Sequence, residues 1–143
     1  DALKKALGSI IALTPGRTFC VFGCGGDRDS GKRSIMGREA LSADFAIVTS
    51  DNPRSEDPLA IIADIESGMS AGKDRYEVVP DRRDAIARAL ELAQAGDSVL
   101  IAGKGHEDYQ IVGDEVRHFD DRTVAAEELE RRFGGSAAGK EVE

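Results

Sequence analysis

Residues 51–54 read Asp-Asn-Pro-Arg and bring a carboxylate, an amide and a guanidinium together within four positions. The apolar run Phe45–Thr49 precedes them and a helix start at Asp57 follows, so the sequence predicts a turn at the end of a strand. Such a turn uses Asn and Pro for its geometry, but it does not require Arg54. An arginine on a proline-stiffened turn is well suited to bind a carboxylate through two parallel hydrogen bonds. The alternative is an ordinary turn whose arginine is solvated.

Two further loops carry more polar chemistry than a turn requires. Gly23–Arg33 follows the apolar run Thr18–Phe22, and Gly103–Asp108 follows the apolar run Ser98–Ala102. If these runs are parallel strands, their carboxyl ends meet at one edge of the sheet, where open α/β sheets bind ligands. Fixed charges of both signs at two points suit an amino acid with two zwitterionic ends. The loops are better equipped to bind than to catalyse, since no nucleophile has a base beside it, and we predict no catalytic residue.

The glycine-rich loop Gly23–Arg33 is open to other interpretations. Its segment 26–32 nearly matches a phosphate-binding P-loop, but Arg33 replaces the Ser or Thr that holds Mg²⁺, and the neighbouring aspartates repel phosphate. The beginning of the loop resembles a dinucleotide fingerprint that lacks its third glycine. A flexible turn with self-compensating charges is a third interpretation. For His106 in the last loop, a structural and a functional role are equally open.

Composition narrows the class of partner. The net charge of -8, with basic and acidic residues interleaved, argues against nucleic acid and against an anionic membrane surface. No apolar run approaches the roughly 18 residues of a membrane span, and no signal peptide is visible. Cys20 and Cys24 are expected to be reduced core thiols of a cytosolic protein, because four strand residues separate their Cα atoms by about 13 Å. Two Cys and two His at unrelated spacings predict no metal site.

Strands alternate with helices along the chain, which predicts the fold class. The expected strands are 18–22, 45–49, 76–79 and 98–102, with a hairpin over 109–119. Connections of this length favour parallel pairing with right-handed crossovers. We predict an α/β fold: a doubly wound, mostly parallel sheet with Rossmann-like topology and a C-terminal antiparallel hairpin. One domain is expected over residues 1–133, and a disordered tail over 134–143. Asp57 and Asp81 are predicted to cap the helices that begin after them. In the helix that follows Asp57, the predicted apolar stripe is Leu59, Ile62, Ile65 and Met69.

Three blocks of sequence together resemble one protein family. Gly23–Asp29, Asp51–Arg54 and Gly103–Gln110 occur in the order and spacing of the C-terminal domain of the Mur ligases that add the third peptide residue. The resemblance covers about residues 1–133. It implies part of an ATP-dependent ligase of peptidoglycan biosynthesis, which serves cell wall biogenesis, cell shape and cell division in the bacterial cytoplasm. A first residue other than Met is consistent with a fragment.

The reaction that the resemblance implies is amide formation. The γ-carboxyl of D-glutamate in UDP-N-acetylmuramoyl-L-alanyl-D-glutamate is phosphorylated, and the amino group of the incoming diamino acid attacks the acyl phosphate. ATP and Mg²⁺ are implied for the full-length enzyme and are bound mainly by a central domain, while an N-terminal domain binds the UDP-sugar. This sequence shows neither domain. The fragment alone is expected to hold no cofactor, to be inactive and to bind at most the amino acid.

The resemblance also implies roles for individual residues. Residues 51–54 resemble the family's recognition motif for meso-diaminopimelate, and Arg54 would pair with the distal carboxylate that lysine lacks. Arg28 resembles a further carboxylate contact, and Glu107 resembles the group that holds the distal ammonium. The predicted substrate-binding residues are Arg28, Asp51, Asn52, Pro53, Arg54, Gly103 and Glu107. The alternatives are a stand-alone small-molecule-binding or regulatory module of the same fold, and a nucleotide-binding module that uses Gly23–Arg33.

Overall fold

The computed structural model describes residues 2–104 and 107–134, in which helices alternate with strands. The helices are α1 Ala2–Leu13, α2 Arg33–Ala40, α3 Pro58–Glu66, α4 Arg82–Leu92 and α5 Asp121–Phe133, with short 3₁₀ helices at Ser30–Lys32 and Ser70–Arg75. The strands are β1 Thr18–Phe22, β2 Phe45–Val48, β3 Tyr76–Val78, β4 Ser98–Ala102, β5 Tyr109–Val112 and β6 Glu115–His118. The tail predicted to be disordered lies outside the described residues from 135 onward, as does His106.

Strands β1 to β4 form a parallel sheet in the order β3-β2-β1-β4. Cys20 of β1 is aligned with Ala46 of β2 on one side and with Leu100 of β4 on the other. The chain leaves β1 toward β2 and β3, and it returns to the opposite side of β1 to form β4. The crevice between the ends of β1 and β4 is therefore a topological switch point, where sheets of this kind bind ligands.

Both faces of the sheet are covered by helices. Leu7 of α1 and Ile65 of α3 pack in one apolar cluster with Phe22 of β1, and all three are fully buried. On the other face, Ile86 of α4 packs in a second cluster with Val21 of β1. Neighbouring residues of β1 thus enter opposite cores, which explains why the strand is apolar at every position. Packing in the two cores therefore fixes the position and direction of the carboxyl ends of the strands, from which the polar loops begin.

The predicted fold class is confirmed, and so are two helix starts. Asp57 caps α3 and Asp81 caps α4, each through its side-chain carboxylate. The antiparallel hairpin is also present, but β5 and β6 form a separate two-stranded sheet. A parallel bridge between Arg54 and Val112 joins this hairpin to the loop after β2. The hairpin therefore rests on the polar loops instead of widening the main sheet.

One predicted core residue of α3 is wrong. Leu59 is 59% exposed, while Ile61 is buried with Ile62 and Ile65. At about 100° per residue, the three isoleucines share one side of the helix, and Leu59 lies more than about 100° away from the middle of that side. The residues that pack on the sheet are therefore set by the orientation in which α3 docks, which the spacing of apolar residues left ambiguous.

The two cysteines are buried and free. Cys24 lies two positions beyond β1 instead of within it, with its Sγ 3.5 Å from the Sδ of Met36. Burial raises the pKa of the Cys20 thiol to about 12 and that of the Cys24 thiol to about 11, so both are protonated at neutral pH. Among the described helices, none has the length and apolar character needed to cross a membrane.

Candidate functional site

The loops after β1, β2 and β4 meet around a cleft of about 360 Å³ at the carboxyl edge of the sheet. Three of the residues predicted from the sequence line it, namely Arg28, Asp51 and Gly103. Gly103 has a φ of 116°, and a Cβ there would lie 3.2 Å from the carbonyl oxygen of Gly23. A glycine is therefore needed where the loop after β4 passes the loop after β1.

The loops after β1 and β2 are bound to each other along their length. The N–H of Gly26 donates to the carbonyl of Asn52 over 2.7 Å. The carboxylate of Asp27 accepts from the hydroxyl and the N–H of Ser55, and Glu56 accepts from the N–H of Asp27. A Cβ on Gly26 would overlap the carbonyl of Pro53. The two loops thus form one rigid wall of the site, and buried Pro53 contributes packing to it.

Arg54 and Arg28 approach the same point of that wall. A Cβ built on Gly25 would lie 2.9 Å from Nη1 of Arg54 and 3.6 Å from Cγ of Arg28. Nη1 of Arg54 donates to the carbonyls of Gly26 and Asn52, and within the described residues its other guanidinium nitrogens make no hydrogen bond. Arg54 also has a φ of 54°, a strained value for a residue with a side chain. The turn therefore holds the guanidinium in one place and leaves part of its fork available.

Glu107 is tied to the same wall through Asn52. Nδ2 of Asn52 donates to Oε1 of Glu107 over 3.2 Å, and the Tyr109 hydroxyl is 3.4 Å from Oε2. Asn52 is 1% exposed, so its amide is held inside the protein while the half-buried carboxylate reaches outward. Glu107 does not line the cleft itself. One buried amide thus separates the carboxylate of Glu107 from the main-chain carbonyl that Arg54 binds.

Asp51 and Lys104 form a buried ion pair behind the cleft. Nζ of Lys104 lies 3.1 Å from Oδ1 of Asp51, and the lysine side chain is fully buried. The contact is not aligned as a hydrogen bond, and Oδ1 has no hydrogen-bond partner. Burial raises the pKa of Asp51, while Lys104 and then Arg82 oppose the shift. Lys104 is not among the predicted substrate-binding residues, although a lysine placed directly after a buried strand between two glycines was a usable signal.

Two buried arginines, Arg82 and Arg33, support the site from behind, and neither is among the predicted substrate-binding residues. Arg82 pairs with Asp121 through two hydrogen bonds of 2.8 and 2.7 Å and donates to the carbonyls of Ser50 and Ala102. It therefore ties the chain ends after β2 and β4 to α5. Arg33 likewise binds Glu56 and the carbonyl of Gly25. Their partners are distant in sequence, so no local pattern could have revealed them.

The glycine-rich loop is not built to hold the phosphates of a nucleotide. A P-loop needs free main-chain N–H groups, but those of Gly26 and Asp27 donate to protein oxygens, and Gly31 donates to the Asp29 carboxylate. The carboxylate of Glu56 stands against this loop and would repel phosphate. In the part of the chain that the structure describes, no cluster of three or more metal-binding side chains occurs. This loop therefore does not fit the phosphates of a nucleotide held with Mg²⁺.

Comparison with known proteins gives a family and close relatives. The profile of the Mur ligase, glutamate ligase domain, matches residues 1–105. A UDP-N-acetylmuramoyl-L-alanyl-D-glutamate--2,6-diaminopimelate ligase from Syntrophomonas wolfei is 57% identical over 131 residues, which are 90% of this chain and 27% of the relative. A ligase of the same name from Synechocystis is 53% identical over 93% of this chain and 26% of the relative.

A solved structure gives the same result in three dimensions. The structure of a UDP-N-acetylmuramoyl-L-alanyl-D-glutamate--2,6-diaminopimelate ligase superposes with a TM-score of 0.88 at 44% identity. The match covers 92% of this chain and 27% of that chain. This chain therefore spans about a quarter of the length of the relatives it matches.

Proposed function

The chain belongs to the Mur ligase family through the glutamate ligase domain, and on that premise we propose that it is the amino-acid-binding domain of a meso-diaminopimelate-adding ligase. The complete enzyme would join this amino acid to UDP-N-acetylmuramoyl-L-alanyl-D-glutamate in the bacterial cytoplasm. Parts of that enzyme outside this chain would hold ATP with Mg²⁺. Transfer of the γ-phosphoryl group of ATP to the D-glutamate γ-carboxylate would release ADP, and attack by the amine of diaminopimelate on the resulting acyl phosphate would form the amide and release phosphate and a proton. We also propose that this domain extends over residues 1–133.

The observation that carries the proposal is the placement of opposite charges on one wall. Arg28 and Arg54 both approach Gly25, and Glu107 is held by Asn52, whose carbonyl binds Arg54. Diaminopimelate carries a carboxylate and an ammonium at each end, so guanidinium and carboxylate groups can hold both. Lysine lacks one carboxylate and would leave a guanidinium without its partner, which is costly for a half-buried charge.

Each residue then has a defined task in positioning the amino acid. Arg54 binds the distal carboxylate and Glu107 the distal ammonium, which places the far end of the molecule beside the hairpin. Arg28, which is exposed and lines the cleft, binds the carboxylate of the reacting end. Gly103 lets the chain pass close to the ligand. The reacting amine is thereby directed out of this domain, toward the parts of the enzyme that bind the other substrates.

The proposal is tested by comparing diaminopimelate with lysine in the complete ligase that contains this chain. We expect amide formation with meso-diaminopimelate and little with lysine. Arg54→Ala should reduce the ratio of the two kcat/KM values by about 30-fold, which corresponds to about 2 kcal/mol for a half-buried charge pair. Arg88→Ala is the matched control, because Arg88 is a surface arginine that binds Glu77 and Glu91 far from the loops.

The possible outcomes distinguish an error in the proposed function from an error in the role assigned to Arg54. If the unmodified ligase formed no amide with diaminopimelate, the proposed function would be wrong. If it used diaminopimelate but Arg54→Ala kept the full preference over lysine, only the assignment of Arg54 would be wrong. Because Arg54 also binds two main-chain carbonyls, thermal unfolding of the variant is measured in parallel to show that the wall is intact.

A further inference from the structure

Lys104 is the most thoroughly buried amine of the site, and the proposed function gives it no task. Its side chain is fully buried, yet it is charged and lies directly after β4. A buried ammonium is costly unless it is paired and hydrogen-bonded, so such a lysine needs a structural or functional reason. Its partners show which residue it acts on.

The ammonium of Lys104 donates into the interior of the wall. Nζ lies 2.6 Å from the carbonyl oxygen of Tyr109 and 3.3 Å from Oδ1 of Asn52, and the Asp51 carboxylate balances its charge. The rings of Tyr109 and Phe119 each have their centroid 6.0 Å from Nζ. These contacts leave the ammonium little freedom to move away from Asn52.

Lys104 and the N–H of Ile111 together set which way the Asn52 amide faces. Oδ1 of Asn52 accepts from Lys104 and from the N–H of Ile111, and neither of these groups can act as an acceptor. Turning the amide by half a rotation would place its NH₂ group against two donors. The oxygen is therefore confined to the inner side, and Nδ2 is confined to the outer side, where it meets Glu107.

We propose that Lys104 is a positioning residue that fixes the Asn52 amide and thereby presents the Glu107 carboxylate to an ammonium group of the bound amino acid. The inference rests on the proposed function for the identity of the ligand. The relay, by which we mean the contacts from Lys104 to Asn52 and from Asn52 to Glu107, depends only on residues of this chain. A carboxylate whose two oxygens accept hydrogen bonds from Asn52 and from the Tyr109 hydroxyl is held at a set angle, which leaves its remaining lone pairs for the ligand. Lys104 itself does not touch the ligand in this arrangement.

The kinetic test uses Lys104→Met in the complete ligase, since methionine keeps the length of the side chain and removes its charge. We expect the KM for diaminopimelate to increase about tenfold, while the KM values for ATP and for the UDP-linked substrate change by less than about twofold. Leu129→Ala, which truncates a buried core residue of α5, is the control for general destabilisation and should leave all three KM values unchanged. Equal increases in the three KM values, or no change in that for diaminopimelate, would overturn the inference.

A double-variant comparison tests whether Lys104 acts through Asn52. If it does, Asn52→Ala combined with Lys104→Met should be no worse than the more severe single variant, because both changes break the same relay. Effects that multiply in full would show that Lys104 acts by another route and would overturn the relay.

A structural test needs no substrate and separates this inference from the proposed function. In a crystal structure of the Lys104→Met ligase, we expect the Asn52 amide to shift from its place and the Glu107 carboxylate to leave Nδ2. If both groups kept their places, the relay would be wrong whatever the enzyme binds. If the unmodified ligase failed to use diaminopimelate while Glu107 moved as expected, the proposed function would be wrong and the relay would stand.

Discussion

The two edges of the parallel sheet use charged residues in different ways. At the amino edge, Asp97 accepts from the N–H groups of Arg17 and Gln94, and Asp44 accepts from the N–H of Thr18. These carboxylates satisfy the main chain of the turns in which they lie. The amino edge is thus a set of completed turns, whose charges contribute to the fold and need no ligand.

At the carboxyl edge, polar groups are buried without being fully satisfied. The buried side-chain atoms that lack a hydrogen-bond partner among the described residues are Nε of Arg33 and Oδ1 of Asp51, and both residues line the cleft. Among the described residues, the non-glycine residues with positive φ are Asp27 and Arg54, each at 54°. Both lie in the loops at the carboxyl edge of the sheet. Strain and unused polar capacity occur together where a ligand is proposed, as expected when a site is formed before its ligand arrives.

Among substitutions that test this difference between the two edges, Arg82→Met is expected to have the largest effect on stability. The substitution leaves Asp121 buried without its bidentate partner and frees the carbonyls of Ser50 and Ala102. We expect the free energy of unfolding of this chain, measured by urea denaturation, to fall by about 3–5 kcal/mol. A loss below about 1 kcal/mol would mean that the carboxyl edge does not depend on its buried charges.

Gly26→Ala is expected to have the next largest effect, because a methyl group there overlaps the carbonyl of Pro53 and separates the two bonded loops. We expect a loss of about 1–3 kcal/mol in the same measurement. Gly8→Ala is the matched control: nothing lies within 4 Å of its added Cβ in α1, so it should stabilise by about 0.5–1 kcal/mol. If Gly26→Ala stabilised the chain as Gly8→Ala is expected to do, the loops after β1 and β2 would not approach each other as closely as described.

Glu56→Gln is expected to change how stability depends on pH. The hydrogen bond from Arg33, and then that from the N–H of Asp27, lower the pKa of Glu56 below its ordinary value of 4.5. Its contribution to stability is therefore present above about pH 4.5 and is lost as pH falls through the lowered pKa.

Urea denaturation between pH 7 and pH 3 measures this contribution. The Glu56→Gln curve should lie below that of the unmodified chain near pH 7 and should meet it at acid pH. Glu130→Gln makes the same chemical change on the exposed side of α5 and serves as the control. Parallel curves for Glu56→Gln and the unmodified chain would contradict the bond between the loops.

Arg17→Ala at the amino edge is expected to have the smallest effect. The arginine is 51% exposed where it pairs with Asp97, and it also lies over the ring of Phe19. Exposed contacts of these kinds are worth about 1 kcal/mol or less, so urea denaturation should show a loss no larger than that. A loss comparable to that of Arg82→Met would remove the distinction between the two edges.

The sequence was sufficient for the elements and for the loops that matter. Apolar runs separated by helices predicted a parallel sheet, and the parallel sheet placed three polar loops at one edge. Arg28, Asp51 and Gly103 indeed line one cleft. Asn52 was predicted to touch the substrate, and the structure places it 1% exposed, as the link between Lys104 and Glu107. Its burial was not predictable, because neighbouring residues of a turn can face opposite ways.

What the sequence alone determined are properties with a local cause: alternation of strands and helices, the helix starts at Asp57 and Asp81, and the types of residue in each loop. The tertiary structure alone decided which charges are buried and what they bind. Lys104 meets Asn52 from 52 positions away, and Arg82 meets Asp121 from 39. Such pairs form only after both cores have packed and aligned the carboxyl ends of the strands at one edge of the sheet. No pattern along the chain therefore predicts them.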